Sequence, residues 1–293
     1  MSETMSSAPD DLAALRREID SIDEQLHDLL MRRGEVVAEI GQRKAASGGV
    51  IFRPAREAQL LNRLLARHWG ELSRGAVVRV WREIIAASIR IQGQLTVGYC
   101  PIEGHGTALH LAHGQFGLDT AVVRFDTASQ VISAVQRGEV SVGLVPLPQD
   151  ADTPGWWGDL RDKPDLHAVA RLPWFVSDPS GADAGVGALV VAPGIPEESG
   201  EDRSLIMLSC PAPTSRARIG EVYSANGLTL VSQAVTDDPH DDGQVLYVAE
   251  VEGFADAQDP RIADIATALE ATNVRVLGSF ARPFAAFNPE GDE

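Results

Sequence analysis

No run of eighteen apolar residues occurs in the chain, so no helix is expected to cross a membrane. Cysteine is scarce. Cys100 and Cys210 stand far apart, with neither metal-ligand nor redox spacing, and read as free thiols in a reducing compartment. The opening stretch MSETMSSAPDD lacks the basic start and apolar core of a signal peptide, which fits a cytoplasmic location. Positive charge is also short. There are 25 Lys+Arg against 42 Asp+Glu, and a net charge of −17 argues against general nucleic-acid binding. The shortage is uneven: residues 1–95 hold 14 cations and 13 anions, and the remainder 11 and 29. A small anion would therefore find its cations in the first third. His105, His110 and His113 lack the carboxylate or cysteine that would complete a metal set.

What is present begins with a long amphipathic stretch, Asp11 to Lys44. Leu12, Leu15, Ile19, Ile22, Leu26, Leu29, Leu30, Val36, Val37 and Ile40 recur at alternating three- and four-residue spacing, which predicts one apolar stripe on a helix. At 1.5 Å per residue such a helix is about 50 Å long, longer than a small domain is wide, so it is expected to pack against other helices, those of this chain or of a second subunit. Arg33 and Lys44 are eleven residues apart and fall on nearly one face, while Arg16 lies about a quarter-turn away. After Gly48 and Gly49, a second helix is predicted from Pro54, with Leu60, Leu61, Leu64 and Leu65 as its stripe. A third is predicted from about Ala76 to Gly93, with Ser88 and Gln92 four apart on one face. Three thin helices leave apolar surface that dimerisation would cover.

These residues carry a resemblance. ALRREID, LLMRRGEVVAEIGQRK, FRPAREAQLL and IIAASIRIQ resemble the all-α class of chorismate mutase, in the version fused to the front of bacterial bifunctional prephenate dehydratases. The resemblance implies chorismate as substrate, a homodimer, and no metal or cofactor. Chorismate to prephenate is a pericyclic rearrangement within one dianion, so positioning and preorganised charge are the whole task. By resemblance, Arg33 clamps one carboxylate, and Arg16 reaches the site of a partner subunit. Lys44 and Gln92 hydrogen-bond the ether oxygen, and Glu57 accepts from the ring hydroxyl beside the backbone of Arg56. Ser88 assists near a carboxylate. Arg53 stands where some members carry Asp. Isochorismate–pyruvate lyase shares the helical fold but ranks lower, because the mutase positions are filled.

From Leu95 the pattern becomes strand–helix–strand–helix–strand, through LTVGYC, GTALHLAHGQFG, TAVVRF, TASQVISAVQRG and VSVGLVPL, an α/β layer. It resembles the first lobe of prephenate dehydratase, with Gly106 and Thr107 opening the helix and Val145-Pro146-Leu147 ending the last strand; Pro148 and Gln149 replace the family's Glu-Asn. Ala151 to about Gly185 is too short for a second lobe. The family's Thr-Arg-Phe falls at Gly187-Ala188-Leu189, so a degenerate, inactive dehydratase-like domain is expected. Trp156 and Trp157 read as packing. Gly104-His105-Gly106 is an incomplete dinucleotide fingerprint.

The last segment predicts β-α-β-β-α-β, a ferredoxin-like unit, and resembles the ACT module that ends prephenate dehydratases. Thr214, Ser215 and Arg216 replace that module's Gly-Ala-Leu, and its Glu-Ser-Arg-Pro is lost near Ala234 to Asp237. DDPHDDG, Asp237 to Gly243, is expected as a solvated hairpin turn. The expected architecture is multidomain. A chorismate mutase helical domain spans 8–95, a reduced α/β domain 96–198, and an α+β ACT-like domain 199–285. Two other functions stay open: a true bifunctional mutase–dehydratase, and a non-catalytic regulatory subunit that binds aromatic metabolites.

Overall fold

The computed structural model describes residues 8–102, 108–150, 155–176 and 187–285. Gly104, His105, Gly106 and Thr107 lie outside them. The chain divides into two compact units. One runs through Ile51 and includes Ser88–Gly93; the other holds Phe52–Ala87 and everything from Gln94 onward. The three helices expected as one domain are thus shared between the two.

In the first unit, helix α1 spans Ala8–Ser47, 40 residues. Gly34 does not break it, since one interior glycine costs only about 1 kcal/mol. The left-handed Gly48 (φ 69°) ends it, and the N–H of Gly49 reaches back to the Lys44 carbonyl at 2.9 Å. Helix α3, Arg74–Gln92, brings its last turn to this unit. The approach is close at Gly41, where a Cβ would lie 2.8 Å from the Cα of Gln92. Val37 is buried, but the rest of the expected stripe is not. Leu12, Leu15, Ile19, Ile22, Leu26, Leu29, Leu30, Val36 and Ile40 are 43% to 66% exposed.

In the second unit, α2 (Pro54–Ala66) buries Ala55, Glu57, Ala58, Leu61 and Leu65. The α/β layer follows as the sequence predicts: β1 Thr96–Tyr99, α4 Ala108–Phe116, β2 Ala121–Arg124, α5 Ala128–Gln136 and β3 Val142–Pro146. β1 pairs parallel with both β2 and β3. A short 3-10 helix, Trp156–Leu160, buries Trp156 and Trp157 as expected. Then come β4 (Leu166–Leu172), β5 (Phe175–Val176) and β6 (Ala188–Pro193). Sequence analysis placed no strand at β4 or β6. Both are apolar runs, and they pair with each other and bridge β3 to the rest.

The final β-α-β-β-α-β is β7 Asp202–Pro211, α6 Arg216–Ala225, β8 Leu230–Asp237, β9 Gln244–Glu252, α7 Pro260–Ala268 and β10 Asn273–Ala281, with β11 (Phe284–Ala285) beside β5. Its strands order as β10-β7-β9-β8, all antiparallel. The two parts expected as separate domains share one nine-stranded sheet, β2-β1-β3-β6-β4-β10-β7-β9-β8. The joint is the parallel pair Gly278↔Ala168. A Cβ at Gly278 would sit 2.0 Å from the Ala168 carbonyl oxygen, so only glycine lets the strands meet. β7 is buried on both faces: Leu205 and Met207 enter one core with Trp157, and Ile206, Leu208 and Cys210 enter another with Tyr223. The turn from Asp237 to Gly243 is solvated as expected except at Asp238. Asp238 is buried, 2.6 Å from the Ser209 hydroxyl and 2.5 Å from Arg161, because an interior carboxylate needs donors.

Candidate active site

The helical periodicity of α1 places Arg33 one turn before the buried Val37 and two turns before Gly41, which meets the end of α3. Arg33 Nη1 donates to the hydroxyl of the buried Ser88. Partial burial lowers the Arg33 guanidinium from its ordinary value, and it stays charged at any physiological pH. Gln92 Nε2 donates to the Ser88 carbonyl at 3.1 Å, and its Oε1 is buried without a partner. Lys44 lies in the last turn of α1. Arg33, Ser88 and Gln92, 55 to 59 positions apart in sequence, are therefore gathered by one contact between two helices. Arg16 is exposed farther up α1.

The remaining sequence-selected residues belong to the second unit. Arg53 forms a two-point pair with Glu197, with Nη2 2.7 Å from Oε1 and Nε 3.2 Å from Oε2. Arg56 is exposed on α2. Glu57 is buried and takes part in a network. Arg82 Nη1 donates to its Oε2 at 2.8 Å, and Gln115 Nε2 donates to the same oxygen at 3.4 Å. Arg82 Nη2 also donates to the Gln115 carbonyl at 3.0 Å, and Trp174 Nε1 donates to Gln115 Oε1. A carboxylate this far inside must be paired, and Arg82 supplies the charge. Arg82 was not among the expected site residues. The signal was a cation standing in the stripe Val78, Arg82, Ile85, Ile89.

A guanidinium beside an amide and a hydroxyl on a helix pair, with Lys44 in the last turn of α1, can hold a small anion without any nucleophile or metal. Residues 15–93 match the chorismate mutase type II family. The bifunctional chorismate mutase/prephenate dehydratase of Stutzerimonas stutzeri is 33% identical over 147 residues, which is 48% of this chain and 40% of that protein. The corresponding Pseudomonas aeruginosa protein is 33% identical over 145 residues, 47% of this chain and 39% of its own. The chain thus spans about 40% of the length of these curated relatives. A solved prephenate dehydratase of Arthrobacter aurescens, in complex with L-Phe, is 14% identical with a TM-score of 0.47, covering 67% of this chain and 94% of that one. At that score the likeness decides nothing about function.

Proposed function

We propose that the chain is a chorismate mutase, turning chorismate into prephenate by electrostatic and positional catalysis. The Arg33–Ser88–Gln92 cluster, inside the family-matched stretch, carries the reading. Arg33 clamps a substrate carboxylate, assisted by Ser88. Lys44 and Gln92 stabilise the ether oxygen as negative charge grows there, which lowers the barrier because the charge exists only in the transition state. Glu57 is the acceptor for the ring hydroxyl, beside Arg56, and Arg53 is a substrate-binding cation. Arg16 serves a second copy of the chain. The exposed stripe of α1 supports a homodimer: nine large apolar side chains on one helix are the kind of surface that burial stabilises by about 1.5–3 kcal/mol each.

We propose further that the sheet-bearing unit does not dehydrate prephenate, and that its last βαββαβ part is an ACT-like module. Gly187 stands where the dehydratase resemblance puts a threonine. It has φ 137°, and a Cβ there would lie 2.1 Å from the Leu172 carbonyl oxygen. Ala188 and Leu189 beside it are buried and apolar, which supports the absence of an acid for the leaving hydroxyl. The relatives' bifunctional names favour the second reading, a mutase that is also a dehydratase. One experiment separates them: incubate purified protein with chorismate and identify the product before any acid treatment. Prephenate alone supports the mutase with a silent second unit. Phenylpyruvate establishes the second reading, and unchanged chorismate overturns both.

A further inference from the structure

An unassigned cavity lies wholly in the sheet-bearing unit. A cavity of about 1050 Å³ opens among the α2–α3 connector, the start of α3, one side of α4 and the turn after β4. That volume lies at the upper end of small-molecule sites. Its inner wall is apolar and rigid. Val78, Leu111 and Trp174 are buried. The Trp174 ring is held between Phe284, stacked at 6.1 Å, and the Arg82 guanidinium 5.1 Å from its centroid. Its rim carries Trp69, 89% exposed, and Leu72, 58% exposed. An indole left that open gains nothing from folding alone and is free to cover a ligand.

Charge selects the ligand further. Arg74 and Arg79 line the cavity at the N-terminal end of α3, whose first turn has no acidic residue. The helix dipole repels cations there and attracts anions. Arg74 Nη1 donates to the Leu65 carbonyl at 3.4 Å, and two arginines at this electropositive helix end favour an anion beside them. Among the described lining residues the only carboxylate is Glu71, exposed at the rim. We propose that this cavity is a binding site for a small aromatic carboxylate, its ring between Trp69 and the apolar wall and its carboxylate on Arg74 and Arg79. The site uses none of the residues assigned to the mutase reaction.

Calorimetric titration of the full chain tests this, with hydrocinnamate as the probe and hydrocinnamyl alcohol as its uncharged counterpart. The expected result is saturable binding of the acid, with the alcohol at least about tenfold weaker. Arg79→Glu and Trp69→Ala, both at exposed positions, should each weaken the acid by about tenfold while leaving the circular-dichroism spectrum unchanged. Lys44→Ala should bind it as the parent does, which separates this site from the mutase site. Absence of binding, equal affinity for acid and alcohol, or binding that survives both cavity substitutions or is lost in Lys44→Ala would each overturn the proposal.

Discussion

The two units handle apolar surface in opposite ways. In the sheet-bearing unit, β7 is buried on both faces, and the buried Arg171 and Arg203 share the buried Glu250 at 2.6 and 3.0 Å. In the helical unit, α1 buries Val37 and leaves the other nine large apolar side chains of its stripe open, with Met31 exposed beside them. A sheet can close its core with its own helices, whereas a 40-residue helix meeting one turn of another cannot. The difference teaches that a sheet layered with helices closes its own core, while the long helix leaves its apolar stripe uncovered within this chain.

The sharpest way to break this comparison is to charge the open stripe. Ile19→Glu with Leu26→Glu should remove on the order of 6 kcal/mol or more from a dimer that buries both residues twice. Sedimentation should then find one chain where the parent has two. A parent that already sediments as one chain would end the comparison. Next is the closed unit's own buried charge. Arg82→Ala removes the buried guanidinium that pairs with Glu57 and should cost about 3–5 kcal/mol in denaturant unfolding. A loss under about 1 kcal/mol would mean that Glu57 reaches water or another cation.

Arg33→Ala and Lys44→Ala should each lower kcat/KM at least about a hundredfold, near 3 kcal/mol, with the unfolding midpoint little changed. A tenfold loss or less would place the chemistry elsewhere. The smallest effect is at Asp238. Burial opposes its charge, but hydrogen bonds from Arg161, Ser209 and the His240 N–H prevail and bring its pKa to about 2, below the ordinary 3.8. Its contribution, about 2 kcal/mol, is therefore complete above pH ~4 and lost as pH falls from there through about 2. Asp238→Asn should flatten the acid limb of stability against pH over that window. An unchanged limb would assign the acid sensitivity to other carboxylates.

Much of the site was legible because helical spacing is a local property. Arg33 and Lys44 could be put on one face by counting, and Ser88 and Gln92 likewise on another helix. That Gln92 touches the α1 turn at Gly41 could not be counted, since it depends on which helix packs on which. Glu57 shows the opposite limit. Its place on α2 was readable, but its pairing with Arg82 and Gln115 joins three elements far apart in sequence.

The sequence by itself determined the long helix, the alternation of strands and helices that follows, and the final β-α-β-β-α-β order. Each is written in spacing that neighbouring residues enforce. Only the tertiary structure decided that the α/β layer and the final unit share one sheet. Gly278 against Ala168 is a contact across 110 residues, and its steric reason appears only when the two strands are side by side.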